Sequence, residues 1–150
     1  MSTSPRARRF DVADVRRVLA RLVTDDPGRP DLHRRPRHGT RYVVHGEPAS
    51  LTAEALTELG CPAGVLACLY REACTAAGDL PVGLGVSRQR WLRRVTRAAL
   101  ALLDSVQRHQ DTGACWQVAY SAAVAAHPHP IDRRHHPGGR PWMPDSGYSP

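Results

Sequence analysis

A chain of 150 residues with 41% hydrophobic content and a formal net charge of +7 is long enough for one modest core. No run approaches the ~20 apolar residues needed to span a bilayer. The start, Met-Ser-Thr-Ser-Pro-Arg-Ala-Arg-Arg, carries basic charge with no apolar stretch after it, so a secretory signal is not expected and a cytoplasmic location with reduced thiols is.

All 21 basic residues are arginine; lysine and asparagine are absent, and isoleucine and phenylalanine occur once each, as Ile131 and Phe10. That is the usage of a very GC-rich genome, so codon bias competes with polyanion chemistry as the source of the charge. The charge is also uneven. Residues 1–41 hold 11 Arg and 5 acids, residues 42–126 hold 7 of each, and residues 127–150 hold 3 Arg and 2 acids. The excess lies mostly outside the segment richest in apolar residues, an arrangement that suits a basic arm contacting polyanions.

Residues 1–9 read as disordered. A first helix follows, with Asp11 as N-cap, Phe10 placed to staple onto Val15, and Val12, Val15, Leu19, Leu22 and Val23 at helical spacing. Asp25-Asp26-Pro27-Gly28 stops it. Residues 27–40 read as a basic loop or linker, because their prolines and glycines forbid a long helix. Arg41 to His45 gives a short strand signal, turned by Gly46-Glu47-Pro48 and able to pair with an extended piece of the preceding loop.

Ser50 caps a second helix with Leu51, Ala55, Leu56 and Leu59 on one face, and Gly60 fits the left-handed position that ends it. Pro62 opens a third helix with Val65, Leu66, Leu69, Ala73 and Ala76 on its apolar side, closed by Gly78-Asp79. Leu80 to Val86 is a loop. The longest stripe is Trp91, Leu92, Val95, Ala99, Leu102, Leu103 and Val106, which predicts one central helix over 88–110 with Ser87 as N-cap. Trp91→Ala should then cost about 3–5 kcal/mol. Asp111-Thr112-Gly113 is a turn, and Trp116, Ala119, Tyr120, Ala123 and Val124 mark a last helix. Beyond His127 the chain is rich in proline and histidine and reads as a flexible tail. The expectation is a mainly α single domain over 10–126, a compact bundle of four to five helices with one short β-hairpin and irregular tails.

Chemistry-bearing clusters are few. The helices 51–59 and 62–77 have the order of a helix-turn-helix, but the second reads as a packing helix with one Arg and one Glu, not a groove-reading one. Arg90, Arg93, Arg94 and Arg97 fall opposite the apolar stripe of 88–110 and could neutralise phosphates or meet an acidic protein. Placed near a helix N-terminus they also oppose its macrodipole, by tenths of a kcal/mol. The loop carries Arg29, Arg34, Arg35, Arg37 and Arg41 with His33 and His38, a backbone-contacting composition with almost no stacking aromatics. His127, His129, His135 and His136 could hold a metal only if folded neighbours fixed them, so no metal and no cofactor is expected. Cys61, Cys68, Cys74 and Cys115 form no C-x-x-C pair and read as small buried apolar residues. The sequence holds no H-E-x-x-H, G-x-S-x-G, Walker A or dinucleotide motif, so catalysis is not expected. A hydrolase or metal enzyme using His33, His38 or His45 is the weakest reading.

Two stretches carry a resemblance. Arg41-Tyr42-Val43-Val44-His45-Gly46-Glu47-Pro48-Ala49-Ser50-Leu51 and Gln107-Arg108-His109-Gln110-Asp111-Thr112-Gly113-Ala114-Cys115-Trp116 resemble small uncharacterised proteins of actinobacteria and their phages and mobile elements. In those a Tyr and Gly hairpin leads into a Pro-Ser-Cys-Leu helix start, and a Gln-Asp-x-Gly-x-x-Trp turn precedes the last helix. Ser50 stands here where that pattern often has Cys. The resemblance implies a compact helical fold with a small hairpin, and brings no activity with it. The expected role is a non-enzymatic accessory or interaction protein, of the kind associated with a mobile element, that meets a protein partner. A regulator contacting nucleic-acid phosphates is the alternative. No membrane partner is expected.

Overall fold

The computed structural model describes residues 8–30, 42–75 and 83–128, with 34–35, 39–40 and 73–75 as backbone only. Within them the chain is mainly helical: α1 (Val12–Asp25), α2 (Leu51–Glu58), α3 (Ala63–Thr75), α4 (Arg97–Asp111) and α5 (Trp116–Ala126). Two short antiparallel ladders accompany the helices. One joins β1 (Arg34–Arg35) to β2 (Gly39–Thr40), the other joins β3 (Val43–Val44) to β4 (Glu47–Pro48).

The helix ends follow from the sequence. Asp11 and Asp14 form a reciprocal capping box at the start of α1. The Ser50 hydroxyl accepts from the Ala53 N–H at 3.1 Å and caps α2. The end of α2 is a complete Schellman turn: Cys61 N–H donates to Leu56 O, Gly60 N–H donates to Thr57 O, and Gly60 sits at φ +86°. The end of α4 repeats it, with Ala114 N–H donating to His109 O, Gly113 N–H donating to Gln110 O, and Gly113 at φ +99°. Both glycines occupy a conformation that a Cβ disfavours.

Leu19, Leu51, Leu56, Leu66, Leu102, Leu103, Val106 and Trp116 are fully enclosed in one core. Each contributes roughly 1.5–3 kcal/mol of burial. α4 is the hub, touching α1, α2, α5 and β2. α2 is buried on nearly every side, Thr52 and Ala53 included. α5 carries no charged residue at all, and its alanines let it lie close along α4.

Two expected elements take a different form. The stretch 88–110 is not one helix. Residues Arg90–Arg94 form a 3-10 turn, Val95 is extended, and α4 begins at Arg97 with Thr96 as its cap. The cause is a tertiary partner: Phe10 N–H donates to Arg94 O at 2.6 Å and Thr96 N–H donates to Phe10 O at 2.9 Å. These bonds form a parallel bridge between Phe10 and Val95 that pulls the backbone out of the helix. Ser87 does not cap a helix either. Its hydroxyl donates to Glu72 and accepts from the Gln89 N–H.

The hairpin is also tighter than expected. β3 pairs forward with β4 and not back with the preceding loop, through His45 and Gly46 at φ +51° and +84°. Two positive φ values in a two-residue turn match the twist of the flanking strands. Glu47 and Pro48 therefore form the return strand and not the turn. The loop 27–40 contains the β1–β2 ladder, so part of it is ordered backbone. The expected termini fall largely outside the described residues, at 1–7 and 129–150, as do Cys74's side chain and most of the histidine-rich tail.

Candidate functional site

Two sets of arginines stand apart once their neighbours are known, with Arg9, Arg16, Arg71 and Arg108 in neither. Those of α1 and its loop face carboxylates. Arg8 pairs with Asp14 at 2.8 Å and Arg17 with the same carboxylate at 3.5 Å, while Arg21 pairs with Glu58. Arg29 donates to Glu54 at 2.9 Å, and its guanidinium lies 4.2 Å over the Trp116 ring. Burial pushes the Glu54 carboxyl above its ordinary 4.5, and Arg29 partly offsets that. The backbone around Arg29 is equally committed. Trp116 N–H donates to Arg29 O and Gln117 N–H donates to Pro27 O, both at 3.1 Å. Cys115 gives α5 no side-chain cap, so this loop satisfies the helix start. Arg29 is thus engaged in packing through Glu54 and Trp116.

The second group lies between residues 83 and 97, a segment with five arginines and no carboxylate. Arg88, Arg90, Arg93 and Arg97 are exposed, and among the described residues none of them has an ion-pair partner. The nearest side-chain carboxylate on α3, Glu72, is engaged by the Ser87 hydroxyl and the Gln89 amide, each at 2.6 Å. Arg94 differs from its neighbours. Its guanidinium lies 5.3 Å from the Phe10 ring and 5.8 Å from the Trp91 ring, and its Nε donates to Arg8 O at 3.4 Å. It roofs the stacked Phe10–Trp91 pair, whose centroids are 6.1 Å apart. The Trp91 Nε1 beneath is buried without an acceptor.

Four proposed contacts thus become three, Arg90, Arg93 and Arg97, with Arg88 added. Of the loop residues, Arg34 and Arg35 lie on β1 as backbone, and Arg37 and Arg41 lie outside the described residues, as do His33 and His38. His45 sits exposed at the tip of the β3–β4 turn.

Sequence reading missed a buried polar seam between α2 and α4. The Ser50 hydroxyl donates to Gln107 Oε1 at 3.2 Å, and Leu51 N–H donates to Gln110 Oε1 at 3.1 Å. Thr52 donates to Leu103 O, and Gln107 Nε2 donates to Asp111. Gln110 is fully enclosed and its Nε2 has no partner. The signal was present: Gln110 falls four residues after Val106, on the apolar stripe of α4, where a polar side chain has to find a bond. The seam joins the two stretches 41–51 and 107–116. The partner of the Ser50 hydroxyl is the Gln107 amide, which cannot take its proton.

Other titratable groups are engaged within the fold. Asp104 accepts from Leu84 N–H at 2.8 Å and pins the loop before the arginine segment. Burial raises its carboxyl while the Leu84 and Gly85 N–H groups and Arg108 oppose that. Burial, helped by the Asp104 and Asp111 carboxylates, holds the Tyr42 phenol protonated. Cys61 is pushed up to about 12 by burial and is an inert thiol. Cys68 and Cys115 are half-buried and free. Among the described residues no three His, Cys, Asp or Glu side chains come together to hold a metal. None of the described helices is long and apolar enough to cross a membrane. No family model matches this sequence, and no curated protein or solved structure was found to be similar to it.

Proposed function

We propose that this chain is a non-enzymatic interaction protein of the cytoplasm, whose binding surface is the arginine face Arg88, Arg90, Arg93 and Arg97. One observation carries the reading: among the described residues these exposed guanidiniums have no carboxylate partner, while Arg8, Arg17, Arg21 and Arg29 are each matched to one. Codon bias raises the number of arginines but does not sort them into paired and unpaired sets. A cluster of like charge without counter-charge raises its own energy, and an anionic partner relieves it. The helices behind it form the scaffold, with Asp104 and the Phe10–Val95 bridge fixing the segment from both sides.

Titration with polyglutamate, followed through the arginine Nε–H resonances, tests this. Arg88, Arg90, Arg93 and Arg97 should shift and saturate, while Arg21 and Arg29 stay in place. Equal movement of all arginines, or larger movement at Arg21 and Arg29, would remove the basis for the reading.

A further inference from the structure

We infer that the partner of this face is the sugar–phosphate backbone of duplex nucleic acid, held without base reading. The inference rests on the proposal that the arginine face is the binding surface, and adds the class of ligand.

The layout is a basic ridge along one short stretch of chain, residues 88–97. Arg90 and Arg93 stand one 3-10 turn apart, where side chains eclipse at about 6 Å along the axis. Arg97 follows as the first residue of α4. The Phe10–Val95 bridge then lays the N-terminal segment beside this stretch and brings the backbone of Arg9, an exposed residue, close to Arg94. Sequence distance separates Arg9 from Arg93 by more than half the chain, and the fold brings their backbones together.

What the ridge lacks selects the partner. Protein interfaces are anchored by apolar and aromatic side chains at their centre. Here Phe10 is 9% exposed, and both it and Trp91 lie beneath the Arg94 guanidinium. Val86 is exposed at one end, but a lone surface valine is ordinary. Among the described residues of this stretch, Phe10 and the half-buried Trp91 lie against Arg94 and offer no free ring face to single-stranded bases. Base reading in the major groove is done by a projecting helix or a β-ribbon. Arg90 and Arg93 stand on a five-residue 3-10 turn, and α4 is packed among α1, α2 and α5. What remains is guanidinium donors aimed at solvent, the chemistry that binds phosphate oxygens bidentately.

Fluorescence anisotropy with the full chain tests this. The probes are a labelled random-sequence duplex, the matching single strand, and polyglutamate of the same charge, each over a salt series. The variants are Arg88→Gln/Arg90→Gln/Arg93→Gln/Arg97→Gln, the milder Arg90→Gln/Arg93→Gln, and Arg17→Gln as a control outside the ridge. Four phosphate contacts predict a log–log salt slope for the duplex of about −3 to −4. The double variant should remove about half of that slope and the quadruple variant most of it, while Arg17→Gln leaves it unchanged. Duplex should bind more tightly than single strand or polyglutamate. If polyglutamate binds as tightly as duplex and the variants weaken both, the face stands and the duplex assignment falls. If duplex binding ignores the variants, or no probe binds at low salt, both proposals fall.

Discussion

Arg29→Ala separates an arginine that holds the fold from one that serves the surface. The substitution leaves the Arg29 and Pro27 carbonyls in place, so α5 keeps its backbone cap. It removes the cation–π contact at 4.2 Å on Trp116, a ring only 2% exposed, which contributes about 1 kcal/mol. It also removes the 2.9 Å bond to Glu54. Hydrogen bonds to charged groups contribute ~1.5–3 kcal/mol. The Arg29 side chain is 40% exposed and that of Glu54 19%, so solvent screening brings this down to about 1 kcal/mol. The sum is about 2 kcal/mol, or roughly 6–8 °C in Tm for a domain of this size. Urea unfolding followed by tryptophan fluorescence measures it. In a cycle with Glu54→Gln, the coupling between the two residues should be about 1 kcal/mol. Arg90→Gln, an exposed change, should leave the urea midpoint where it is. A loss below ~0.5 kcal/mol for Arg29→Ala, or a larger loss for Arg90→Gln, would refute the division of the arginines on which the functional proposal stands.

Glu54 also predicts a pH dependence. Its folded carboxyl titrates above 4.5, so the folded chain holds that proton more tightly than the unfolded chain does. The stability this proton linkage contributes is complete below 4.5 and is lost as pH rises through the folded value. Glu54→Gln should therefore match the parent below pH 4.5 and equal or exceed it in urea midpoint at neutral pH; a variant weaker only at neutral pH would show the opposite linkage. At the α2 cap, Ser50→Ala should cost about 1–2 kcal/mol, from the lost Ala53 bond and the orphaned Gln107 oxygen. Ser50→Asp should cost more, although Asp is a good cap at exposed sites, because here the charge would be enclosed; equal stability of Asp and Ala would contradict that. Trp116→Ala should cost about 3–5 kcal/mol and Trp91→Ala only about half as much, since Trp91 is half-buried. A reversed order in calorimetry would restore Trp91 as the central aromatic.

The helices were legible because their signals are local. Asp11, Ser50, Gly60 and the 112–113 turn each act within a few residues of where they stand, and each does what its type dictates. The break at Val95 was not legible, because the apolar stripe runs straight through it and the residue that pulls it open is Phe10, far away in the chain. The hairpin register failed for a related reason: His45 takes a positive φ that its residue type does not announce. For the arginine face, spacing placed Arg90, Arg93 and Arg97 together but could not distinguish them from Arg94 or Arg29. That distinction rests on which carboxylates and rings the fold delivers to each guanidinium, information that exists only in three dimensions. Gln110 was readable as a polar residue on an apolar face, though its partner, the Leu51 N–H, was not.

The borrowed cap of α5 sets an order of events during synthesis. The first turn of this last helix waits on carbonyls at Pro27 and Arg29, which leave the ribosome long before Trp116 does. Closing that distance is slow, since chain entropy resists contacts so far apart in sequence. Until it happens, α1 and α2 lack the ring that shields Arg29 and Glu54, and α4 exposes the flank that α5 will cover. A nascent chain stalled before residue 116 should therefore be a sticky, protease-sensitive species, and release of the final helix should be the step that locks the domain.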